Sequence, residues 1–327
     1  MNTANKNTAD KMITGEFNLI ESIRERVNRT QELSEKIFGI GDDCAVYRIS
    51  DNRYGLFSTD ISIENVHFDL RYTPLFNAGY RSMTANISDI FAMGGKPVLA
   101  LVSLGIPLHF TSAMIDELYD GILACAVKHG TFIAGGDTSK SGELIVNISI
   151  YGEASLPVYR KGAEPGDRIY ITGNTGLSKL GLEVLSGNRN QDGFSKSVEK
   201  HLKPEPCGVL IDSILKEYNP SSMIDISDGL ISDLGHICTI NNCGFELFDD
   251  KIPADGEVRN FCLNNKIKVS EYTLYSGEEY ELLFTSRKKI ENNKQITHIG
   301  NITLNGYTII SEGSSSAIEL NGYDHFK

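Results

Sequence analysis

Residues 39–46 read GIGDDCAV, a glycine-rich turn that leads through two adjacent carboxylates, Asp42 and Asp43, into an apolar segment. Glycine-rich turns often bind phosphate groups through their backbone N–H donors, whereas carboxylates repel phosphates. The two features are compatible if the aspartates bind Mg²⁺, which prefers oxygen ligands and is commonly held by carboxylates together with substrate phosphates. We therefore expect this turn to enter a strand at a metal-assisted phosphate site.

Periodicity on both sides of this turn predicts an α+β protein. In the first half we expect helical spacing over 20–27, strands at 44–49, 54–59, 97–106, 131–137 and 143–153, and helices at 78–94 and 112–129. In the second half we expect strands at 168–173, 222–227, 244–248, 279–285 and 296–311, and helices from about 177 and at 194–202, 206–217 and 230–238.

The length of 327 residues is sufficient for two domains. Residues 1–14 are polar and are expected to form a disordered tail. The segment 152–167 is rich in glycine, proline and charge, which is typical of a domain boundary. We therefore predict an N-terminal domain at residues 15–154 and a C-terminal α+β domain at residues 155–327.

Charge and cysteine usage restrict the partners and the compartment. The net charge of −12 and the pI near 5.1 argue against a nucleic acid or an anionic membrane held by charge alone. The six cysteines form no C-x-x-C pair, which is typical of free thiols in a reducing compartment. The N-terminus has no apolar signal core, and the apolar stretch 97–108 is too short to span a bilayer. We expect a soluble cytoplasmic protein.

Carboxylates recur beside Gly, Ser or Thr at the ends of the expected elements. They lie in five stretches: GDD (41–43), STD (58–60), NISD (86–89), GGDTS (135–139) and DISDG (225–229). Carboxylates and hydroxyls from separate loops are suitable ligands for several Mg²⁺ ions. The same residues are also ordinary turn and N-cap residues, so this alternative stays open for each stretch. Asp42 and Asp233 are expected on a solvated face or behind the ligands.

Other phosphate-binding and catalytic motifs are absent from the sequence. There is no G-x-x-x-x-G-K-[ST] motif, and GNTGLSKLG (173–181) matches neither that motif nor G-x-G-x-x-G in full. There is no H-E-x-x-H motif, so a zinc hydrolase is not expected. His67 follows STD closely, and it fits either a ligand contact or a strand-end histidine.

Taken together, ten segments in order resemble the thiamine-monophosphate kinase family. They are GEFNLI (15–20), GIGDDCAV (39–46), STD with VHF (58–60 and 66–68), NISDIFAMGGKP (86–97), GGDTS (135–139), RKGAEPGD (160–167), IDISDGLISDLGHI (224–237), SGEEYELLFT (276–285), IGNIT (299–303) and GYDHF (322–326). The resemblance implies ATP-dependent phosphorylation of thiamine monophosphate to thiamine diphosphate, the last step in making that cofactor. It also implies the fold of aminoimidazole ribonucleotide synthetase. In that fold an N-terminal α/β domain with a mixed sheet binds ATP and Mg²⁺ and pairs in a homodimer, and a C-terminal α+β domain completes the active site.

The resemblance assigns roles to individual residues. The implied magnesium ligands are Asp43, Ser58, Thr59, Asp60, Asp89, Asp137, Asp225 and Asp228. The implied nucleotide contacts are Gly136, Asp137, Arg160 and Ser227, and the implied substrate contacts are His67, Glu278 and Tyr323. Three positions depart from the family pattern: Ser276 replaces a glycine, Glu279 replaces an aspartate, and Asn65 replaces a common glycine.

Two phosphorylated anions have to meet inside an acidic protein in such a reaction. Each like-charge pair at ~4 Å costs about 4 kcal/mol at an effective dielectric of 20, so several Mg²⁺ ions are expected to bridge the phosphates. The substrate phosphate is already largely ionised at neutral pH, so no catalytic base is required. We expect direct in-line transfer without a phosphoenzyme.

Two alternatives stay open at this point. The first is another ATP-using enzyme of the same fold, such as a selenophosphate synthetase or an amidine-forming synthetase. A hydrogenase-maturation dehydratase would end in a reactive cysteine, whereas this sequence ends GYDHFK. The second is a non-catalytic acidic protein that binds divalent metal without turning over nucleotide.

Overall fold

Two β-sheets organise the computed structural model, which describes residues 15–31, 35–187, 191–290, 295–320 and 322. The expected disordered tail at 1–14 lies outside the described residues, as does Tyr323. Across the described ranges, no helix is both long and apolar enough to cross a membrane.

The first sheet has six strands in the order β1-β2-β3-β6-β4-β5. The strands are β1 Ile37–Phe38, β2 Ala45–Ser50, β3 Arg53–Ile63, β4 Lys96–Ile106, β5 Phe132–Lys140 and β6 Ile145–Ala154. Strands β4 and β5 run parallel and the other neighbours run antiparallel, so the sheet is mixed, as expected.

Side chains along β3 alternate between the two faces of this sheet, as strand geometry requires. Ser58 and Asp60 face inward, whereas Phe57, Thr59 and Ile61 lie on the exposed face. Helices α1 Glu16–Thr30, α2 Leu75–Ala92 and α3 Ser112–Lys128 complete this half of the chain. Helix α2 covers the inner face of the sheet, where fourteen of its residues are buried.

Two glycines allow α2 and α3 to pack closely. A Cβ atom at Gly79 would collide with the carbonyl oxygen of Leu118, and one at Gly121 would collide with the carbonyl oxygen of Phe76. The close packing fixes α2 against the sheet and therefore fixes the polar residues that α2 carries.

The second sheet has seven strands in the order β13-β12-β9-β11-β7-β10-β8. The strands are β7 Arg168–Thr172, β8 Ser222–Asp225, β9 Gly244–Phe248, β10 Leu282–Ser286, β11 Ile296–Thr303, β12 Tyr307–Ser311 and β13 Ser314–Ala317. The helices of this half are α4 Leu177–Ser186, α5 Ser195–Leu202, α6 Ile211–Ser213, α7 Leu230–Asn241, α8 Gly256–Asn265 and α9 Ser270–Thr273. The expected α+β class is confirmed.

The expected helix at 206–217 is wrong in part. Only Ile211–Ser213 is α-helical, and a π-helical turn follows at Ile214–Tyr218. Pro204 and Pro206 keep the preceding segment out of a helix, because proline lacks the amide donor and restricts the residue before it. Helix α8 was not expected from the sequence. Asp255 caps its start by accepting a hydrogen bond from the amide of Glu257 at 3.0 Å.

One hydrophobic core crosses from the first sheet to the second. It joins Leu56 and Ile90 of the first half to Tyr170, Tyr218 and Phe284 of the second. A separate cluster lies within the second half, around Ile169, Ile231 and Phe245. The division of the chain at 154/155 stays a prediction, since the shared core does not stop there.

Candidate active site

Three carboxylates from separate elements meet where the two halves of the chain join. Oxygen atoms of Asp43, Asp89 and Asp225 all lie within 4.8 Å of one another. Asp43 belongs to the turn before β2, Asp89 to helix α2, and Asp225 to the end of β8. We call these three residues the acid cluster.

Neighbouring side chains hold the acid cluster in place. Ser58 on β3 donates a hydrogen bond to Asp89, and Ser88 donates to Asp225 Oδ2 at 2.5 Å. Asp60, also on the inner face of β3, has its amide bonded to Asn86 Oδ1 at 3.2 Å. The alternation of β3 and the helical spacing of α2 therefore bring the STD and NISD stretches to one point.

Enclosure and mutual repulsion raise the pKa values of these carboxyl groups. Burial, followed by the charge of Asp43, raises the pKa of Asp60 to about 6 and that of Asp225 to about 7. Burial, followed by the charge of Asp60, raises the pKa of Asp89 well above its usual range. Such a set of acids is unfavourable while ionised without a cation.

Arg160 connects the GDD turn to the second half of the chain. Its guanidinium donates to Asp43 Oδ1 at 2.5 Å, and its amide donates to Asp42 Oδ1 at 2.9 Å. Its carbonyl oxygen accepts a hydrogen bond from Asn241 Nδ2 at 2.8 Å. Asp42 thus lies behind the acid cluster, the second of its two expected positions, and burial followed by the Asp43 charge raises its pKa to about 7.

The DISDG turn is held by Asp233 from within. Asp233 Oδ2 accepts from the amides of Ser227, Asp228 and Gly229 at 3.2, 3.3 and 3.1 Å. Asp233 is only 1% exposed, so the expectation of a solvated face is wrong for it and the position behind the turn is correct. Asp228 and Asp233 lie with His236 in a second group of potential ligands.

His67 follows strand β3, and Glu278 lies in the loop before strand β10. His67 Nδ1 accepts from the amide of Ile63 at 3.1 Å, which places the ring proton on Nε2 in the neutral form. Asn65, beside it, has φ of 64°, a left-handed conformation that asparagine tolerates better than most residues. This explains why Asn65 serves where glycine is common.

Ser276 and Glu279, the two departures from the family pattern, contact each other. Ser276 Oγ donates to Glu279 Oε1 at 2.6 Å. The same carboxylate oxygen accepts from the amides of Gly176 and Ser178 at 2.7 and 3.1 Å, at the start of helix α4. The pair therefore anchors the loop that carries Glu278 onto the start of α4.

Glu279→Ala is expected to lower the free energy of unfolding by about 3 kcal/mol, since it leaves two enclosed amide donors without a partner. Urea denaturation measures this loss, and Glu143→Ala, at an exposed turn position, is the matched control with a change of about 0.5 kcal/mol or less. The Glu279 and Ser276 substitutions should couple in a double-mutant cycle. Additive effects would show that the hydrogen bond between them contributes nothing.

Other predicted site residues lie apart from the acid cluster. Gly136 and Asp137 are on edge strand β5 and line an open depression of about 320 Å³ with Val102, Tyr119 and Thr138. The register aligns Asp60 with Gly136 across β6 and β4, three strand spacings or ~14 Å away.

Thr59 points to the opposite face of the sheet, where its hydroxyl donates to the carbonyl of Ile148 at 3.1 Å. Its role as a ligand stays a prediction.

Several residues at the site were not singled out in the sequence. Tyr119 reaches the β5 depression from helix α3, Asn86 orients the backbone at Asp60, and Arg81 bonds to Glu278. Arg81 carried a detectable signal, since it is the one basic residue of helix α2. Tyr119 carried none, because tyrosine at a helical position is usual for packing.

The acid cluster fits a divalent cation on its own geometry. Asp43 Oδ2 is buried and has no hydrogen-bond partner among the described residues. A buried carboxylate oxygen without a donor is costly, and a metal ion would satisfy it together with the neighbouring acids.

Comparison with known proteins gives consistent results. Residues 41–154 match the family model described as AIR synthase related protein, N-terminal domain. The thiamine-monophosphate kinase of Bacillus subtilis is 32% identical over 331 residues, covering 95% of this chain and 99% of that protein. The solved structure of AaThiL complexed with AMPPCP and TMP has a TM-score of 0.87 at 29% identity, covering 97% of this chain and 100% of that one.

The hydrogenase maturation protein HypE, solved in complex with ATP, shares only the fold. It aligns with a TM-score of 0.67 at 16% identity, covering 82% of this chain and 85% of that one.

Proposed function

The chain belongs to the thiamine-monophosphate kinase family, and we propose on this premise that it transfers the terminal phosphate of ATP to thiamine monophosphate, giving thiamine diphosphate and ADP. The observation that carries the proposal is the acid cluster, which gathers Asp43, Asp89 and Asp225 from three motifs at one point. A binder without catalytic function or an enzyme with another substrate would not require the whole ordered set of kinase segments.

We propose that Mg²⁺ is bound by the acid cluster together with Asp60, and at further positions by Ser58, Asp137 and Asp228. Thr59, whose side chain lies on the opposite face of the sheet, retains its proposed ligand role from the family resemblance alone. Bound Mg²⁺ neutralises phosphate charge and orients the reacting groups. Arg160 is proposed to donate to the nucleotide phosphates through Nε, which is buried and without a partner among the described residues. Gly136 is proposed to let the nucleotide approach the backbone of β5, and Ser227 to bind it from the DISDG turn.

Substrate recognition is assigned to His67, Glu278 and Tyr323. His67 offers the Nε2 proton to the substrate, and the Glu278 carboxylate provides a negative charge for the cationic thiazolium ring. Tyr323 retains its proposed contact from the family resemblance alone. No side chain is needed as a base, because the acceptor phosphate is itself a nucleophile at neutral pH.

The direct test incubates the protein with Mg-ATP and thiamine monophosphate and separates the products by chromatography. Equal amounts of thiamine diphosphate and ADP are the expected result. ATP hydrolysis without thiamine diphosphate, or turnover only with another acceptor, would contradict the proposal. A chiral γ-thiophosphate donor should give inversion at phosphorus, since a single in-line step inverts; retention would indicate a covalent intermediate.

We propose that two copies pair through the exposed face of the first sheet. Phe57, Ile61 and Leu101 on this face are 49%, 48% and 44% exposed, although strands β3 and β4 lie inside the sheet. The rings of Phe57 and Tyr151 contact each other there in a tilted arrangement, with centroids 4.9 Å apart. Apolar side chains on adjacent strands are typical of a face that another sheet covers, and a second copy offers the same surface.

Leu101→Asp is expected to shift the protein from dimer to monomer, because it places a charge at the centre of this apolar face. Analytical ultracentrifugation at micromolar concentration measures the change. Leu108→Asp, at a residue 79% exposed outside this face, is the matched control and should remain dimeric. A monomeric wild type would overturn the proposed pairing without affecting the kinase assignment.

A cytoplasmic location is part of the proposal. All six cysteines are free, and five of them are buried. Free thiols in this number are typical of a reducing compartment.

A further inference from the structure

A buried ion pair lies beside the substrate residues and outside the acid cluster. Arg81 on helix α2 is 4% exposed, and its guanidinium donates to Glu278 Oε2 at 2.5 Å. A buried arginine is costly unless it is paired, so its retention in the middle of α2 calls for an explanation. Among the described residues, Arg81 forms no hydrogen bond or ion pair with the acid cluster.

His201 on helix α5 supports Arg81 from the other side. Arg81 Nη1 and His201 Nε2 are 3.3 Å apart. A guanidinium can only donate, so Nε2 accepts and the ring proton lies on Nδ1, which is 4.0 Å from Glu278 Oε2. Burial, followed by the charge of Arg81, lowers the pKa of His201 to about 4, and the ring is therefore neutral at pH 7.

The backbone of the Glu278 loop is held in an unfavourable conformation. Glu278 and Tyr280 have φ of 55° and 50°, in the left-handed region that costs energy for residues other than glycine. The loop is tied to the DISDG turn by hydrogen bonds from the Glu278 amide to Ser227 O at 2.7 Å and from the Tyr280 amide to Ile226 O at 2.9 Å. Such strain persists only where the surroundings fix the conformation.

The contacts leave one oxygen of Glu278 open. Arg81 bonds to Oε2, and within the described ranges no residue forms a hydrogen bond with Oε1. The Glu278 side chain is 33% exposed, unlike that of Arg81. Burial raises the pKa of Glu278, but the charge of Arg81 and the hydrogen bond from its guanidinium outweigh burial, and the pKa is lowered overall. One carboxylate oxygen is therefore both ionised and accessible.

We propose that Arg81 and His201 are positioning residues that fix the Glu278 carboxylate so that it binds the cationic ring of thiamine monophosphate. This rests on the proposed function. The planar guanidinium of Arg81 fixes the orientation of the Glu278 carboxylate. Neutral His201 fixes the orientation of the guanidinium, and it adds no positive charge that would repel the substrate. Lysine cannot replace arginine here, because a point charge does not fix the orientation of the carboxylate.

The test measures binding separately from turnover, by calorimetric titration with thiamine monophosphate and, in parallel, with a non-hydrolysable ATP analogue plus Mg²⁺. Arg81→Lys should weaken thiamine monophosphate binding by about tenfold or more and leave the nucleotide Kd within about twofold. His201→Leu should weaken it by about threefold, since a neutral hydrogen bond is lost. In steady-state assays the KM for thiamine monophosphate should rise more than kcat falls.

Arg53→Lys is the matched control, because Arg53 forms a two-point ion pair with Glu153 in the exposed part of the first sheet. It should leave both affinities unchanged. Equal binding by wild type and Arg81→Lys, or equal losses for both ligands with a lower melting temperature, would overturn the positioning role. Wild type that binds thiamine monophosphate without phosphorylating it would overturn the kinase proposal alone; wild type that does not bind it would overturn both.

Discussion

Asp60→Asn is expected to lower kcat by at least about a hundredfold while leaving the protein folded. Asparagine keeps the shape of the side chain and removes one negative charge beside Asp43 and Asp89, where phosphate-neutralising cations are proposed to bind. Loss of a group that stabilises charge in the transition state typically has this size. Turnover assays at saturating Mg-ATP, with circular dichroism of the same sample, measure the two effects.

The melting temperature of Asp60→Asn is a second, independent test of the metal site. Because burial and the Asp43 charge raise the pKa of Asp60, removing its charge relieves repulsion, and the metal-free variant should melt at the wild-type temperature or above. Added Mg²⁺ should raise the melting temperature of wild type more than that of the variant. Asp51→Asn, whose side chain is 91% exposed, is the control. Activity above about a tenth of wild type would remove Asp60 from the metal site.

Arg160→Met is expected to lower kcat/KM for ATP by about a hundredfold. The substitution removes a charge-assisted hydrogen-bond donor proposed to bind the nucleotide phosphates, and such bonds are worth about 1.5–3 kcal/mol. It also leaves Asp43 without its guanidinium partner at 2.5 Å, so the protein should lose stability as well.

Steady-state kinetics with each substrate varied in turn separates the two effects. The KM for ATP should rise, whereas the KM for thiamine monophosphate should change little. Arg48→Met removes an exposed ion pair with Asp51 and should alter neither. If Arg160→Met changed only the melting temperature, Arg160 would be a structural link between the two halves and not a nucleotide contact.

The elements that build the acid cluster were predictable because their signals are local. Glycine and aspartate turns border short strands with period-two alternation, and α2 has a long pattern of apolar and small residues. The convergence of Asp43, Asp89 and Asp225 was only implied by the family resemblance. Residues 43 and 225 are far apart in sequence, and no local pattern specifies that β8 ends beside α2.

The supporting contacts could not be predicted for a related reason. The bond from Ser276 to Glu279 and the bond from Arg81 to His201 depend on side-chain directions in loops and on buried helix faces. Serine, glutamate, arginine and histidine are all common in loops and helices, so the sequence alone does not single out either of these two pairs. The partly wrong helix at 206–217 has a different cause, since Pro204, Pro206 and Gly208 are local signals against a helix that the apolar periodicity concealed.

The core that runs from Leu56 to Phe284 makes the two halves mechanically dependent on each other. Separating them as rigid bodies would expose large apolar side chains of this core to water, at about 1.5–3 kcal/mol for each one. Hinge opening between the halves is therefore an expensive route to the catalytic centre, and entry and exit of substrates should use loop motions at the rim. Melting should likewise be a single cooperative transition, and neither half of the chain is expected to be a self-sufficient folding unit.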